Sequence, residues 1–97
     1  MKILALVTPT EGVTMERMRP HLAAEAKQVW ALYERGLVRE MYLMGEGRPG
    51  AVLILETESV DRARSELTQL PLLREGLASV DCIALAPFVS WRALFAA

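Results

Sequence analysis

The segment Lys2–Val7 constrains the fold more than any other part of the chain, because it is apolar on both faces of a strand. Side chains alternate between the two faces of a strand, and here the odd-numbered residues from Ile3 and the even-numbered residues from Leu4 are all aliphatic or alanine. A strand of this kind is expected in the middle of a sheet that is covered on both sides. The turn-forming cluster Thr8–Gly12 follows and ends it.

A helix is predicted next. Apolar residues recur at helical spacing from Leu22 to Tyr33, and Pro20 is placed where such a helix would begin. Thr14 is suited to cap a helical turn before it. Gly36 follows the last periodic residues and is expected to end the helix in the left-handed conformation, so that the helix has about four turns.

The remaining segments complete a recognisable order. Strands are predicted at Leu37–Met44 and Ala51–Glu56, joined by a glycine-rich hairpin connection. They are followed by a second helix at Val60–Leu70, a short turn at Leu72–Gly76 and a last strand at Leu77–Leu85. The order βαββαβ predicts one ferredoxin-like domain over residues 1–97, an α+β fold with one four-stranded antiparallel sheet.

This architecture predicts an oligomer. A ferredoxin-like sheet carries helices on one face only, yet these strands are apolar on both faces, and 53% of the 97 residues are hydrophobic. A second copy of the same sheet would cover the bare face, so a homodimer or a higher homo-oligomer is expected. The apolar segment Trp91–Phe95 is expected to pack across that dimer.

Composition excludes several classes of function. The formal net charge is −1 and no basic run occurs, which argues against a nucleic-acid partner. No apolar stretch reaches the ~18 to 20 residues that cross a bilayer, and the N-terminus does not resemble a secretory signal. The single cysteine, Cys82, allows no internal disulfide, so a cytoplasmic protein is expected. One histidine and one cysteine are too few for a zinc site, and no metal or cofactor is predicted.

Glu25 is the leading candidate for chemistry. It is flanked by alanines in the first helix, and His21 lies one turn before it. A partly buried carboxylate has a raised pKa, which suits a general base or acid, with His21 assisting. The alternative is a surface pair worth about 0.2 to 0.5 kcal/mol.

Arg39 and Glu40 are expected on opposite faces of the second strand, so at most one of them can face the same cavity as Glu25. Strict alternation places Val38, Glu40 and Tyr42 on one face. Arg39 would suit a carboxylate ligand or the oxyanion of an enolate. It could equally be an edge-strand charge or part of an ion pair between subunits.

A ligand pocket between sheet and helix would have apolar walls with few polar groups. Leu22 and Val29 belong to the apolar stripe of the first helix and are candidates for the wall. Tyr33 and Tyr42 could each offer a hydroxyl to a ligand, or be core residues with a satisfied hydroxyl. The expected ligand is a small, largely apolar organic molecule.

Several local patterns resemble the muconolactone isomerase family, which belongs to the dimeric α/β-barrel group. The matching positions run from about residue 13 to residue 88, and the most specific are Leu70-Pro71-Leu72 followed by Val80-Asp81 and Pro87; the others are Glu25, Gly36, Arg39 and Tyr42. The resemblance implies a dimer whose two sheets form one barrel, with a pocket between the sheet and the first helix of each subunit. It also implies a cofactor-free isomerase that moves a proton on a small lactone or aromatic-derived compound.

The chain departs from that family around the candidate base. Alanines surround Glu25 where the isomerases are strongly charged, and Glu40 stands where they tend to carry histidine. Two other functions therefore remain open, a non-catalytic ligand-binding or interaction module and a cofactor-free monooxygenase of the same fold.

Overall fold

The computed structural model describes residues 1–96 and has the predicted order of elements. The elements are β1 (Lys2–Pro9), α1 (Met15–Glu34), β2 (Val38–Leu43), β3 (Ala51–Glu56), α2 (Val60–Leu67), α3 (Pro71–Arg74), β4 (Ala78–Ala84) and a terminal 3₁₀ helix (Val89–Phe95). The four strands form one antiparallel sheet in the order β2-β3-β1-β4. The expected α+β, ferredoxin-like fold is confirmed, with β1 in the interior of the sheet.

Helix α1 is longer than predicted. It begins at Met15 and runs for 20 residues, because Thr14 caps it: the Thr14 hydroxyl oxygen accepts a hydrogen bond from the backbone N–H of Arg17 at 3.3 Å. The expectation that Pro20 marks the start is wrong. Pro20 lies inside the helix, where its missing N–H affects only an exposed early turn. The predicted end is right, and Gly36 has φ 79°.

The core lies between the helices and one face of the sheet. Ile3 of β1 and Leu55 of β3 are fully buried there, and Leu67 of α2 packs against them from the helix layer. The described chain has no buried polar or charged residue in this layer. The core is therefore entirely apolar in the described residues, and packing against it determines the position of the first helix on the sheet.

A β-bulge in β2 changes the faces that its side chains occupy. Val38 pairs with Leu55 and Glu40 pairs with the next residue, Ile54, so Arg39 is the extra residue. Strict alternation is therefore wrong for this strand. Val38 is buried in the helix-side core, whereas Glu40 and Tyr42 lie on the opposite face of the sheet.

That opposite face carries no helix in the described part of the chain. Its central residues are aliphatic and half-buried, and Ile83 at its edge is 42% exposed; the others are Leu4, Leu6, Val52 and Ile54. The residues after Pro87, here called the C-terminal arm (residues 88–96), add more apolar surface. Phe88, Trp91 and Leu94 recur every three residues, the period of the 3₁₀ helix, and all are mostly exposed.

The arm extends away from the body. The chain measures 59 × 30 × 19 Å with a radius of gyration of 15.7 Å, where a compact domain of this length has about 12.5 Å. Its accessible surface is 6808 Å², and a compact monomer of this mass exposes about 5,500 Å². A single copy thus exposes more surface than its size requires.

Candidate functional site

A pocket of about 350 Å³ lies between α1, α3 and the helix side of the sheet. Cavities of this size accommodate small organic molecules. Its walls are almost entirely apolar: Val7, Pro9, Met18, Leu22, Glu25, Ala26, Val29, Met41, Leu43, Gly50, Ala51, Leu53, Leu70, Leu72 and Ala78. Val29 and Leu53 form its deep end, and the exposed side chains of Leu22, Met41 and Leu43 surround its mouth.

Gly50 forms part of the pocket wall because the backbone approaches closely there. A Cβ atom at this position would lie 2.6 Å from the carbonyl oxygen of Val7, closer than such atoms come in proteins, and the residue has φ 124°. The Gly50 carbonyl also accepts a hydrogen bond from the N–H of Met44 at 2.9 Å. Only glycine suits this contact between the β2–β3 connection and β1.

Glu25 is the one ionisable side chain in the pocket wall. It is half-buried on α1, and its Oε1 accepts a hydrogen bond from the backbone N–H of Leu72 at 2.8 Å. This bond crosses from α1 to the first turn of α3. Because Leu70 caps α3 without a side-chain hydrogen bond, the Glu25 carboxylate supplies the acceptor that this helix start lacks.

Burial raises the pKa of Glu25 above its ordinary value of 4.5. Two weaker influences oppose it, the hydrogen bond from the Leu72 N–H and the positive charge of His21. Both favour the ionised form, but neither outweighs the loss of water around the carboxylate. The group therefore takes up a proton more readily than an exposed glutamate does, and its second oxygen has no hydrogen-bond partner among residues 1–96.

The other sequence candidates lie in different places. Leu22 and Val29 line the pocket with Glu25. His21 is half-buried one turn before Glu25 and is not in the wall, although its charge acts on Glu25. Tyr33 is 51% exposed and stacks on Trp30, with ring centroids 5.3 Å apart, because Val29 and Leu32 take the sheet-facing side of α1.

Neither charge of the 39–40 pair reaches the pocket. The Nε of Arg39 donates to the Gly36 carbonyl at 2.6 Å, which holds the guanidinium at the end of α1. The bulge turns Glu40 to the helix-free face, where its Oε1 accepts from the Tyr42 hydroxyl at 2.7 Å. That hydrogen bond raises the pKa of Tyr42. Arg39 and Tyr42 are thus not brought together with Glu25.

Two solved structures share this arrangement of elements. The 5-chloro-2-hydroxyhydroquinone dehydrochlorinase of Burkholderia phenoliruptrix AC1100, in complex with 2,5-dihydroxybenzoquinone, superposes with a TM-score of 0.73 at 20% identity, covering 89% of this chain and 94% of its own. Muconolactone isomerase superposes with a TM-score of 0.69 at 19% identity, covering 91% and 93%. The chain has the muconolactone isomerase fold. No protein-family model and no curated protein sequence matches it.

The muconolactone isomerase fold brings α3 against the pocket, and sequence reasoning missed this wall. The sequence pattern places Leu70 at the end of the second helix and Leu72 in a short turn, and neither position indicates a pocket wall. The N–H that binds Glu25 belongs to the backbone, which the residue type does not reveal. One signal was available. Pro71 starts a helix whose N-cap residue is a leucine, which has no side-chain acceptor, so its free N–H groups need an acceptor from elsewhere.

Beyond the pocket, the same fold holds two other groups of interest. Glu66 on α2 accepts hydrogen bonds from Arg35 at 3.2 Å and from Arg62 at 3.0 Å. Cys82 is buried in the core, and burial raises the pKa of its thiol. No group of three or more metal-ligating side chains occurs within residues 1–96, and none of the helices there is long and apolar enough to cross a bilayer.

Proposed function

We propose that this chain is a cofactor-free isomerase that moves a proton on a small lactone or aromatic-derived molecule, with Glu25 as the general base. The observation that carries the proposal is a half-buried carboxylate in the wall of an apolar pocket of about 350 Å³, with a raised pKa and one free oxygen. A raised pKa brings such a base closer to the value that suits proton transfer near neutral pH. The shared fold with a dehydrochlorinase and an isomerase supports a small-molecule enzyme.

The reaction requires one base and a substrate that stabilises its own anion. Glu25 would remove a proton from the carbon next to the carbonyl group, and the electron pair of that C–H bond would pass to the carbonyl oxygen as an enolate. In a β,γ-unsaturated lactone this anion is a dienolate, and the resulting carboxylic acid would return the proton to its γ carbon. The double bond then lies next to the carbonyl group, and the Glu25 carboxylate is regenerated. Since the described pocket wall offers no side-chain donor for the oxyanion, the substrate must be an easily ionised carbon acid.

The test uses α-angelica lactone, an uncharged unsaturated γ-lactone, in deuterated water. In the presence of the wild-type protein, the acidic hydrogen of the lactone should exchange for deuterium faster than in buffer alone, as measured by proton NMR. Glu25→Gln should lower the exchange rate by about 10² to 10⁴-fold while the protein stays folded. Glu66→Gln is the matched control, since it removes a carboxylate far from the pocket. Equal rates in the wild type and Glu25→Gln would refute the assignment.

The second candidate is a non-catalytic binding module, favoured by the lack of an oxyanion donor in the described wall. It predicts saturable binding without deuterium exchange in either protein. The third candidate, a cofactor-free monooxygenase, predicts oxygen consumption with the ligand, which an oxygen electrode measures.

We also propose that the protein is a homodimer or a higher homo-oligomer in which the helix-free sheet face and the C-terminal arm are covered. One copy exposes roughly 1,300 Å² more than a compact monomer of its mass, and stable dimers bury at least about 800 Å² per subunit. Light scattering should give twice 10.8 kDa or a larger multiple. A 10.8 kDa particle at micromolar concentration would contradict this proposal.

A further inference from the structure

The charge of the pocket sets which ligands can enter it. Among the residues of the wall, Glu25 is the one that carries a charge, and every other wall residue is apolar. An ionised Glu25 thus gives the cavity a net charge of −1 with no cation to balance it. In an apolar wall, that charge is weakly screened by solvent.

Two cationic side chains on elements that border the pocket are directed elsewhere. Arg39 is bound to the Gly36 carbonyl, and Arg74 on α3 is exposed and lies 3.8 Å from Glu75. His21 contributes positive charge to Glu25, but it is not part of the pocket wall. A ligand carboxylate would therefore meet Glu25 with no arginine or lysine to bind it.

The free oxygen of Glu25 is a hydrogen-bond acceptor for the ligand. Its other oxygen is held by the Leu72 N–H, so the carboxylate is fixed in orientation and one acceptor position remains. A hydroxyl group can donate to that oxygen, and a hydrogen bond to a charged acceptor is stronger than one between neutral groups. The rest of such a ligand has to be apolar to suit the wall.

We infer that the pocket selects uncharged, hydroxyl-bearing apolar molecules of the phenol or enol type and excludes carboxylates. This inference rests on the proposed function of the same pocket and adds to it the charge class of the substrate. It restricts the lactone substrates of the proposed function to those without a carboxylate group.

The experiment compares para-cresol with para-toluate, which share a methyl-substituted ring and differ in the polar group. At pH 7 a phenol is uncharged and a carboxylic acid is ionised. Isothermal titration calorimetry on the whole protein should show that para-cresol binds roughly tenfold or more tightly than para-toluate. Glu25→Gln, which keeps the shape and removes the charge, should bring the ratio of the two dissociation constants close to one. Glu66→Gln should keep the wild-type ratio.

The outcomes separate this inference from the proton-transfer function. Equal binding of both ligands to the wild type, tighter binding of para-toluate, or a ratio that Glu25→Gln leaves unchanged would overturn the inference. Selectivity without deuterium exchange into the lactone would leave the inference standing and remove the proton-transfer function. Failure of both ligands to bind would overturn the inference, and deuterium exchange into the lactone would then decide the proton-transfer function separately.

Discussion

Two glutamates of the helix layer, Glu25 and Glu66, have opposite electrostatic surroundings. Glu25 faces an apolar cavity and accepts one neutral N–H, and burial raises its pKa. Glu66 has a side chain that is only 14% exposed, yet the hydrogen bond from Arg35 lowers its pKa, with a further contribution from Arg62. Removal from water is common to both. The presence of a positive partner decides whether such a carboxylate stays ionised or becomes available to exchange a proton.

The comparison also separates two structural tasks. Glu66 connects the end of α1 to α2 through Arg35, which lies just beyond α1, and through Arg62 one turn earlier on α2. Glu25 connects α1 to the start of α3 through a single backbone bond, and its other oxygen stays free. The Glu66 carboxylate is occupied by its arginine partners, whereas the Glu25 carboxylate retains one oxygen that can bind a ligand.

The largest effect that tests this contrast is on ligand affinity, and it comes from placing an arginine beside Glu25, as Glu66 already has. Leu22 lies one turn before Glu25 at the pocket mouth and is 38% exposed, so Leu22→Arg can place a guanidinium beside the carboxylate. The affinity for para-toluate should rise roughly tenfold, about 1.4 kcal/mol, relative to Leu22→Gln, which removes the same apolar side chain without adding charge. Calorimetric titration measures both. Equal para-toluate affinities in the two variants would show that pocket charge does not govern selectivity.

The next effect concerns the ion pairs of Glu66. Glu66→Gln should lower the free energy of unfolding by about 1 kcal/mol, since the two arginines are each about half exposed and solvent screens their attraction. The lowered pKa means that this contribution is present above the unfolded-state pKa near 4.5 and is lost as pH falls through the folded-state pKa. Urea unfolding of both proteins at several pH values measures it. A difference that persisted undiminished at the acid end would contradict the ion-pair interpretation.

The smallest effect concerns His21. Its positive charge lowers the pKa of Glu25, so His21→Ala should raise that pKa. Proton abstraction needs the ionised carboxylate, and the acid limb of the exchange rate should therefore move to higher pH. Rate profiles of deuterium exchange for the wild type and the variant test this shift. A limb that moves the other way would show that His21 acts on the substrate rather than on Glu25.

The element order was predictable because short apolar runs, bounded by turn-forming residues, alternate with segments of helical periodicity along the chain. The start of α1 was not, since Thr14 and Pro20 both mark helix starts and only packing decides between them. The β2 bulge also could not be predicted from the sequence. Its sequence VREMYL alternates equally well in either register, and the choice depends on Val38 filling the core beside Leu55.

The site was only partly visible in the sequence. Alanines beside Glu25 indicated open space next to a carboxylate, and the structure has a cavity there. The orientation of Arg39 follows from its hydrogen bond to the Gly36 carbonyl, and no residue pattern predicts that bond. The same is true of the Leu72 N–H, because backbone donors are identical at every position except proline.

The close approach at Gly50 has a consequence for recognising related chains. A side chain at this position would collide with the backbone of Val7, so any protein with the same pocket wall has to keep glycine there, whatever else changes in the sequence. A search pattern that requires a glutamate in the first helix, this glycine immediately before the third strand and the Leu-Pro-Leu segment would therefore select chains that share the cavity.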